Sequence, residues 1–209
     1  MKKIIHLIIY KYYFAHMIVL KLLYKKNQFI NSFLFIILLS SIFIKSNCDN
    51  EITITIRGTG MQKILGNNFY TGIPENWPNE ILFNGVQTIE NIDNYIVISE
   101  EANDINNIIL KWDRQLVYCG CMFNEIPNIT FIDFSSFDSS RVGDVQYMFT
   151  NCKSLTSIIF ANFQTSLAWD TSGMFAFCRS LVSLDLSNFN TSIMYSMKNM
   201  FTGCAKLIY

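Results

Sequence analysis

The chain has 209 residues, 51% of them hydrophobic, with 16 basic and 16 acidic residues and a formal net charge of zero at neutral pH. The neutrality is a cancellation: residues 1–47 hold seven lysines and no acidic residue, leaving nine basic against sixteen acidic residues in the remainder, a net of −7. Phosphate contacts need clustered Lys and Arg, so the acidic remainder argues against nucleic acid as a partner.

Residues 1–47 read as a targeting segment. The run Phe29–Ile44 (FINSFLFIILLSSIFI) is uncharged, follows Lys25 and Lys26, and is closed by Lys45, Ser46 and Asn47, the pattern of a signal peptide. It is somewhat shorter than the roughly 20 residues a spanning helix needs, so a cleaved signal and a retained membrane anchor both stand. The earlier stretch Ile4–Tyr24 is interrupted by His6, Lys11, His16 and Lys21, charges that are costly in a hydrocarbon core, and the start is either Met1 or Met17. The expected location is the cell surface or the medium, with membrane association if the segment is retained.

Residues 48–107 read as a β-rich cap domain. Ile52, Ile54 and Ile56 alternate with Thr53 and Thr55, a strand pattern, and Gly58, Gly60, Gly66, Gly72, Pro74 and Pro78 break the following stretch into turns. Apolar runs at 81–83, 95–98 and 108–110 suggest further strands.

Residues 108–209 repeat. Met-Phe occurs at 122–123, 148–149, 174–175 and 200–201, always 26 residues apart. Cys152, Cys178 and Cys204 keep that register, as do Phe137, Phe163 and Phe189. The alternation of Leu184, Asp185 and Leu186 predicts a short strand. Asn188, Asn190, Thr191 and Ser192 predict a turn, and Met194, Met197, Met200, Phe201 and Cys204 fall at helical spacing. Units of this kind bury their apolar layer only by stacking. The expected fold is therefore a leucine-rich-repeat solenoid of short parallel β-strands and helical turns, with the β-rich cap before it. Because the fourth unit stops at Tyr209, just before its strand, the solenoid is expected to be truncated at the C-terminus.

The stretch Met174–Ser192, MFAFCRSLVSLDLSNFNTS, resembles the BspA-like leucine-rich surface proteins, whose units look like MFxxCxSLxSLDLSNFxTS. The resemblance covers about residues 108–209 and implies an extracellular, curved solenoid used for adhesion and recognition. Its motif is structural, so it carries over no binding residues.

The functional expectation is a non-catalytic cell-surface or secreted protein that binds an extracellular protein or glycan. The alternatives are a structural coat protein without a specific ligand and, remotely, a surface hydrolase. The only histidines are His6 and His16, which removes histidine-based catalysis from the mature region; no catalytic residue, metal ligand or cofactor is expected. Strand position alone nominates Asp133, Ser135, Ile159, Ala161, Asp185 and Ser187 as a binding face. Asn128 and Asn190 open glycosylation sequons. Cys152, Cys178 and Cys204 are expected to form a reduced, buried ladder, since Ile126 at the matching position packs but cannot bridge. Cys48, Cys119 and Cys121 are candidates for a disulfide in a secreted chain.

Overall fold

A computed structural model describes residues 50–69, 76–87, 91–92, 94–98 and 104–208, all within one compact unit, Asn47–Tyr209. The targeting segment 1–47 and Cys48 lie outside the described residues. The described residues form nine strands: β1 Asn50–Arg57, β2 Gly60–Lys63, β3 Glu80–Phe83, β4 Val86–Gln87, β5 Asn91–Ile92, β6 Tyr95–Ile98, β7 Ile105–Trp112, β8 Ile129–Asp133 and β9 Ser157–Ile159. They form a six-stranded sheet in the order β4-β3-β7-β1-β8-β9 and a three-stranded sheet in the order β2-β6-β5.

The alternation at 52–56 places three isoleucines on one buried face of β1, since side chains on a strand point alternately to opposite faces. They meet a matching face of β7, with Ile52 opposite Leu110, Ile54 opposite Ile108 and Ile56 opposite Asn106. On its other side β1 pairs antiparallel with β8. The N-terminal strands therefore continue one sheet into the repeating region, and β7 runs unbroken across residues 107 and 108.

The leucine-rich solenoid expected from sequence is corrected by this arrangement. Among the described strands only β8 and β9 pair in parallel, and the other strand pairs are antiparallel. Leu184–Leu186, expected as a strand, forms none, and no α-helix occurs among the described residues. None of the described residues belongs to a helix long and apolar enough to cross a membrane.

The residues expected to form a helical return instead form consecutive tight turns. In a helix every N–H returns to a carbonyl four residues back. Here Phe123, Phe149 and Phe175 donate across to Met148, Met174 and Met200 of the next unit (2.8, 2.8 and 2.9 Å), while Met122 and Asn124 donate three residues back within their own. Isolated parallel bridges Tyr118–Asp144, Asp144–Asp170 and Asp170–Ser196 carry the same pairing. The turn segments 118–126, 144–152, 170–178 and 196–204 are thus stacked by hydrogen bonds between backbones.

Left-handed backbone makes this alternation possible. Positive φ recurs at Cys121, Tyr147, Gly173 and Asn199, and again at Glu125, Asn151, Phe177 and Gly203. Such a residue ends any helix, and for non-glycines it costs about 1–2 kcal/mol. Stacked aromatic rings offset that. Phe123, Phe149, Phe175 and Phe201 form one column with centroids 5.9, 5.4 and 5.5 Å apart, and each such pair adds about 0.5–1.5 kcal/mol beyond burial.

Two aromatic side chains at left-handed positions lie over glycines of the next segment. A Cβ on Gly173 would stand 2.4 Å from the Tyr147 ring, and one on Gly203 would stand 2.6 Å from the Phe177 ring. Gly173→Ala should therefore destabilise the protein by about 1–3 kcal/mol through overpacking together with its unfavourable φ. In a Tyr147→Ala background the steric part should vanish, leaving about 1 kcal/mol of backbone strain. A double-mutant cycle by denaturant unfolding measures the coupling, and additivity of the two changes would refute the contact.

Candidate functional site

The strand-edge residues nominated from sequence serve the backbone. Asp133 ends β8 and its Oδ1 accepts the Ser135 N–H at 2.8 Å. Asp185 repeats the device with the Ser187 N–H at 2.9 Å, bonds that hold its carboxyl below the usual range. Ile159 lies opposite Asp133 in the β8–β9 register, and the Ala161 carbonyl accepts Asn188 Nδ2. Asp133 and Asp185 thus hold the turns that carry Ser135 and Ser187, while Ile159 ends β9 with an exposed side chain.

The thiols are occupied in the same way. Cys152, Cys178 and Cys204 donate through Sγ to the carbonyls of Phe123, Phe149 and Phe175 at 2.9, 3.1 and 3.0 Å. Each bond reaches back one segment. Ile126 sits in the first turn segment, where no preceding one supplies such a carbonyl. Burial pushes the Cys152 thiol up to about 12 and raises Cys178 and Cys204 as well, which keeps them from the thiolate form that reacts. Cys119 is buried and Cys121 half-buried, both free and both raised by desolvation and then by the charge of Asp144.

Of the sequon residues, Asn128 is exposed but its Nδ2 donates to Gln62 Oε1 at 3.0 Å. Asn190 is exposed and its Oδ1 accepts the Ser192 N–H at 2.9 Å, so the bond engages its oxygen. Asn128 borders a cavity of about 390 Å³ with Lys63 and Glu125. The Lys63 ammonium is directed at the carbonyls of Asn124 and Glu125, 3.4 Å from each, so this cation serves the backbone. Among the described residues no group of three His, Cys, Asp or Glu side chains is placed to hold a metal ion.

A surface that sequence reading missed runs along the start of the turn segments. Trp169 and Tyr195 stack with centroids 5.4 Å apart and planes 15° apart, yet they remain 39% and 71% exposed. The Trp169 indole approaches the open side of Gly143. The Tyr195 hydroxyl donates to Asp170 Oδ2 at 3.3 Å, and Asp144 is Asp170's bridge partner in the preceding segment. Tyr118, bridged to Asp144, and Tyr147 add further exposed rings. The 26-residue spacing of Trp169 from Gly143 and Tyr195, and of Asp144 from Asp170, was the available signal.

This aromatic–carboxylate strip has a negative field. Desolvation raises the Asp144 carboxyl, and the Asp170 charge raises it further, against the lowering effect of the Gln146 N–H. The Tyr195 phenol is raised by desolvation and then by Asp170.

Two stability experiments follow from these contacts. Phe149 O also accepts the Cys152 N–H at 3.1 Å, so Cys178→Val should lose about 1 kcal/mol or less. Cys178→Asp should unfold the neighbouring segments by burying a charge; thermal melts separate the two. Asp144→Asn should raise stability at neutral pH, because a carboxyl with a raised folded pKa imposes its penalty only above that pKa. The advantage should fade as pH falls through the carboxylate range. Denaturant midpoints across that range test the sign, and an advantage that grew on acidification would contradict the assigned field.

The model of one family, described as Mycoplasma protein of unknown function, DUF285, matches residues 82–181 and again 118–208, together more than half of the chain. No curated protein and no solved structure matches. The family match and the mixed sheets, with no α-helix among the described residues, correct the BspA-like, leucine-rich assignment. The adhesion, coat-protein and surface-hydrolase readings attached to that assignment lose their basis with it.

Proposed function

The chain belongs to the DUF285 family, and we propose that it is an exported, non-catalytic module that binds a small organic ligand along the aromatic–carboxylate strip. The observation that carries this reading is the Trp169–Tyr195 stack, two large rings held in register, exposed, and tied by the Tyr195 hydroxyl to Asp170. Exposed apolar patches rimmed by polar groups mark binding surfaces. A planar aromatic fixed by a hydrogen bond offers contact area with little rotamer entropy left to lose.

The absence of catalysis is supported by what the candidate groups already do. Asp133 and Asp185 cap their own turns, burial keeps the ladder thiols protonated, and both histidines of the chain precede residue 17. Export is supported by the run Phe29–Ile44 behind Lys25 and Lys26.

Protease treatment of intact cells tests export: digestion of the chain before lysis is expected, and protection until lysis would overturn it. For binding, the protein isolated as cells make it should show ligands in a metabolite thermal-shift screen. Those ligands should also quench Trp169 fluorescence, and Trp169→Ala should abolish their effect. Ligand shifts that survive combined Trp169→Ala and Tyr195→Ala substitution would place binding elsewhere, and turnover of a ligand would refute the non-catalytic assignment.

A further inference from the structure

We propose that the cleft between β2 and the end of the first turn segment binds a small zwitterion, an apolar α-amino acid or a short peptide with free termini. Its carboxylate would meet Lys63 and its ammonium Glu125. The site is separate from the aromatic–carboxylate strip, and its floor follows from strand geometry. Alternate residues of paired strands face the same way, so Lys63 and Tyr95, directly opposite in the β2–β6 register, share an outer face with Met61. Gln62 and Ile96 turn to the other side and are buried.

The wall is residues 125–128, where the chain leaves the first turn segment for β8. Floor and wall enclose about 390 Å³, within the roughly 300–1,000 Å³ common to small-molecule sites. The Asn128 Nδ2 donates to Gln62 Oε1 at 3.0 Å, and Gln62 Nε2 donates to Thr59 O at 2.6 Å. These bonds tie wall to floor, and a cleft already in shape spares a ligand the cost of ordering it.

Two opposite charges line this cleft without pairing. Lys63 and Glu125 both border it, yet neither joins the ion pairs found among the described residues. The ammonium has three N–H donors, and its two carbonyl contacts, to Asn124 O and Glu125 O, are 3.4 Å long, beyond the roughly 2.7–3.2 Å of a good N–H···O bond. Burial lowers the pKa of Lys63, with the Glu125 charge opposing it, so the cation is partly desolvated and has no close anion. A carboxylate in the cleft supplies the short, charge-assisted bond that the carbonyls do not. A simple anion would be repelled by Glu125, whereas a ligand that also carries an ammonium turns the repulsion into a second contact. Met61, 60% exposed, and Pro127 offer the apolar surface for the rest of the ligand.

The test is isothermal titration of the protein, as cells make it, with leucine, methionine, leucyl-leucine, N-acetyl-leucine and leucine amide. At least one of the three zwitterions should bind, more weakly as salt rises, and which of them does so tells free amino acid from peptide. N-acetyl-leucine lacks the ammonium and leucine amide the carboxylate, so each should bind more weakly than leucine by about fivefold or more. Lys63→Met should weaken binding by about tenfold and Glu125→Gln by about two- to fivefold. Glu125 is exposed and glutamine keeps its shape, so a loss in that variant is not unfolding, and melting temperatures verify both proteins. Combined Trp169→Ala and Tyr195→Ala substitution should leave zwitterion binding intact; its loss there would assign it to the strip and overturn this site. Blocked leucine binding as well as leucine would overturn the zwitterion class. No heat from any of the three zwitterions, or binding unchanged by both Lys63→Met and Glu125→Gln, would refute the cleft.

Discussion

The stacked half of the molecule rests on one directional hydrogen bond. Across the turn segments, the N–H groups of Cys119, Cys121, Phe123 and Glu125 point forward to the carbonyls of Asp144, Gln146, Met148 and Thr150. Thr171, Gly173, Phe175 and Phe177 repeat the pattern toward Ser196, Lys198, Met200 and Thr202. Because buried backbone groups must be paired, this ladder sets where each segment lies. The ladder in turn fixes the phenylalanine columns and thiol contacts, and it brings Trp169 and Tyr195 into register.

Gly143, Trp169 and Tyr195, just before the turn segments, donate backward, but within the segments the donors face forward, so that stretch of the ladder has unlike ends. Its first carbonyls face the N-terminal strands, where the Gly66 N–H donates to Met122 O at 2.7 Å and the Lys63 ammonium approaches Asn124 O and Glu125 O. A positive charge at the carbonyl end of aligned peptides has the favourable sign known from helix termini. Gly66 is required there for a steric reason as well, since a Cβ would stand 2.0 Å from Cys121 O. Strand β2 of the three-stranded sheet and the turn after it thus close the acceptor end with a cation and a bare backbone.

Much of this was legible in the sequence, and the failures have physical causes. The Ile-Thr alternation of 52–56 announced β1 because a strand's period is set by its own geometry. The Met-Phe and cysteine spacing announced the register of the stack. What periodicity could not announce was handedness: Met194, Met197, Met200, Phe201 and Cys204 sit at helical intervals, but positive φ at Asn199 and Gly203 diverts the chain into turns. The apolar frame of a leucine-rich unit and that of this stack coincide over one period, which produced the mistaken resemblance. The strip was overlooked because its rings and carboxylates belong to different segments. Asp133 and Asp185 were nominated because alternation assigns a side chain to a face without revealing whether the backbone already holds it.

Cys178 and Cys204 bond back to phenylalanine carbonyls that already accept an N–H, Phe149 O from Cys152 and Phe175 O from Cys178, and each forward N–H finds a carbonyl in the segment after it. The forward backbone bonds of this stack have the same form from one segment to the next. The number of segments is therefore a quantity that recombination within the gene can change by whole units. Insertion or loss of one complete internal 26-residue unit keeps the forward backbone matches in register, whereas a shorter change shifts left-handed positions onto residues whose neighbours leave no room for them.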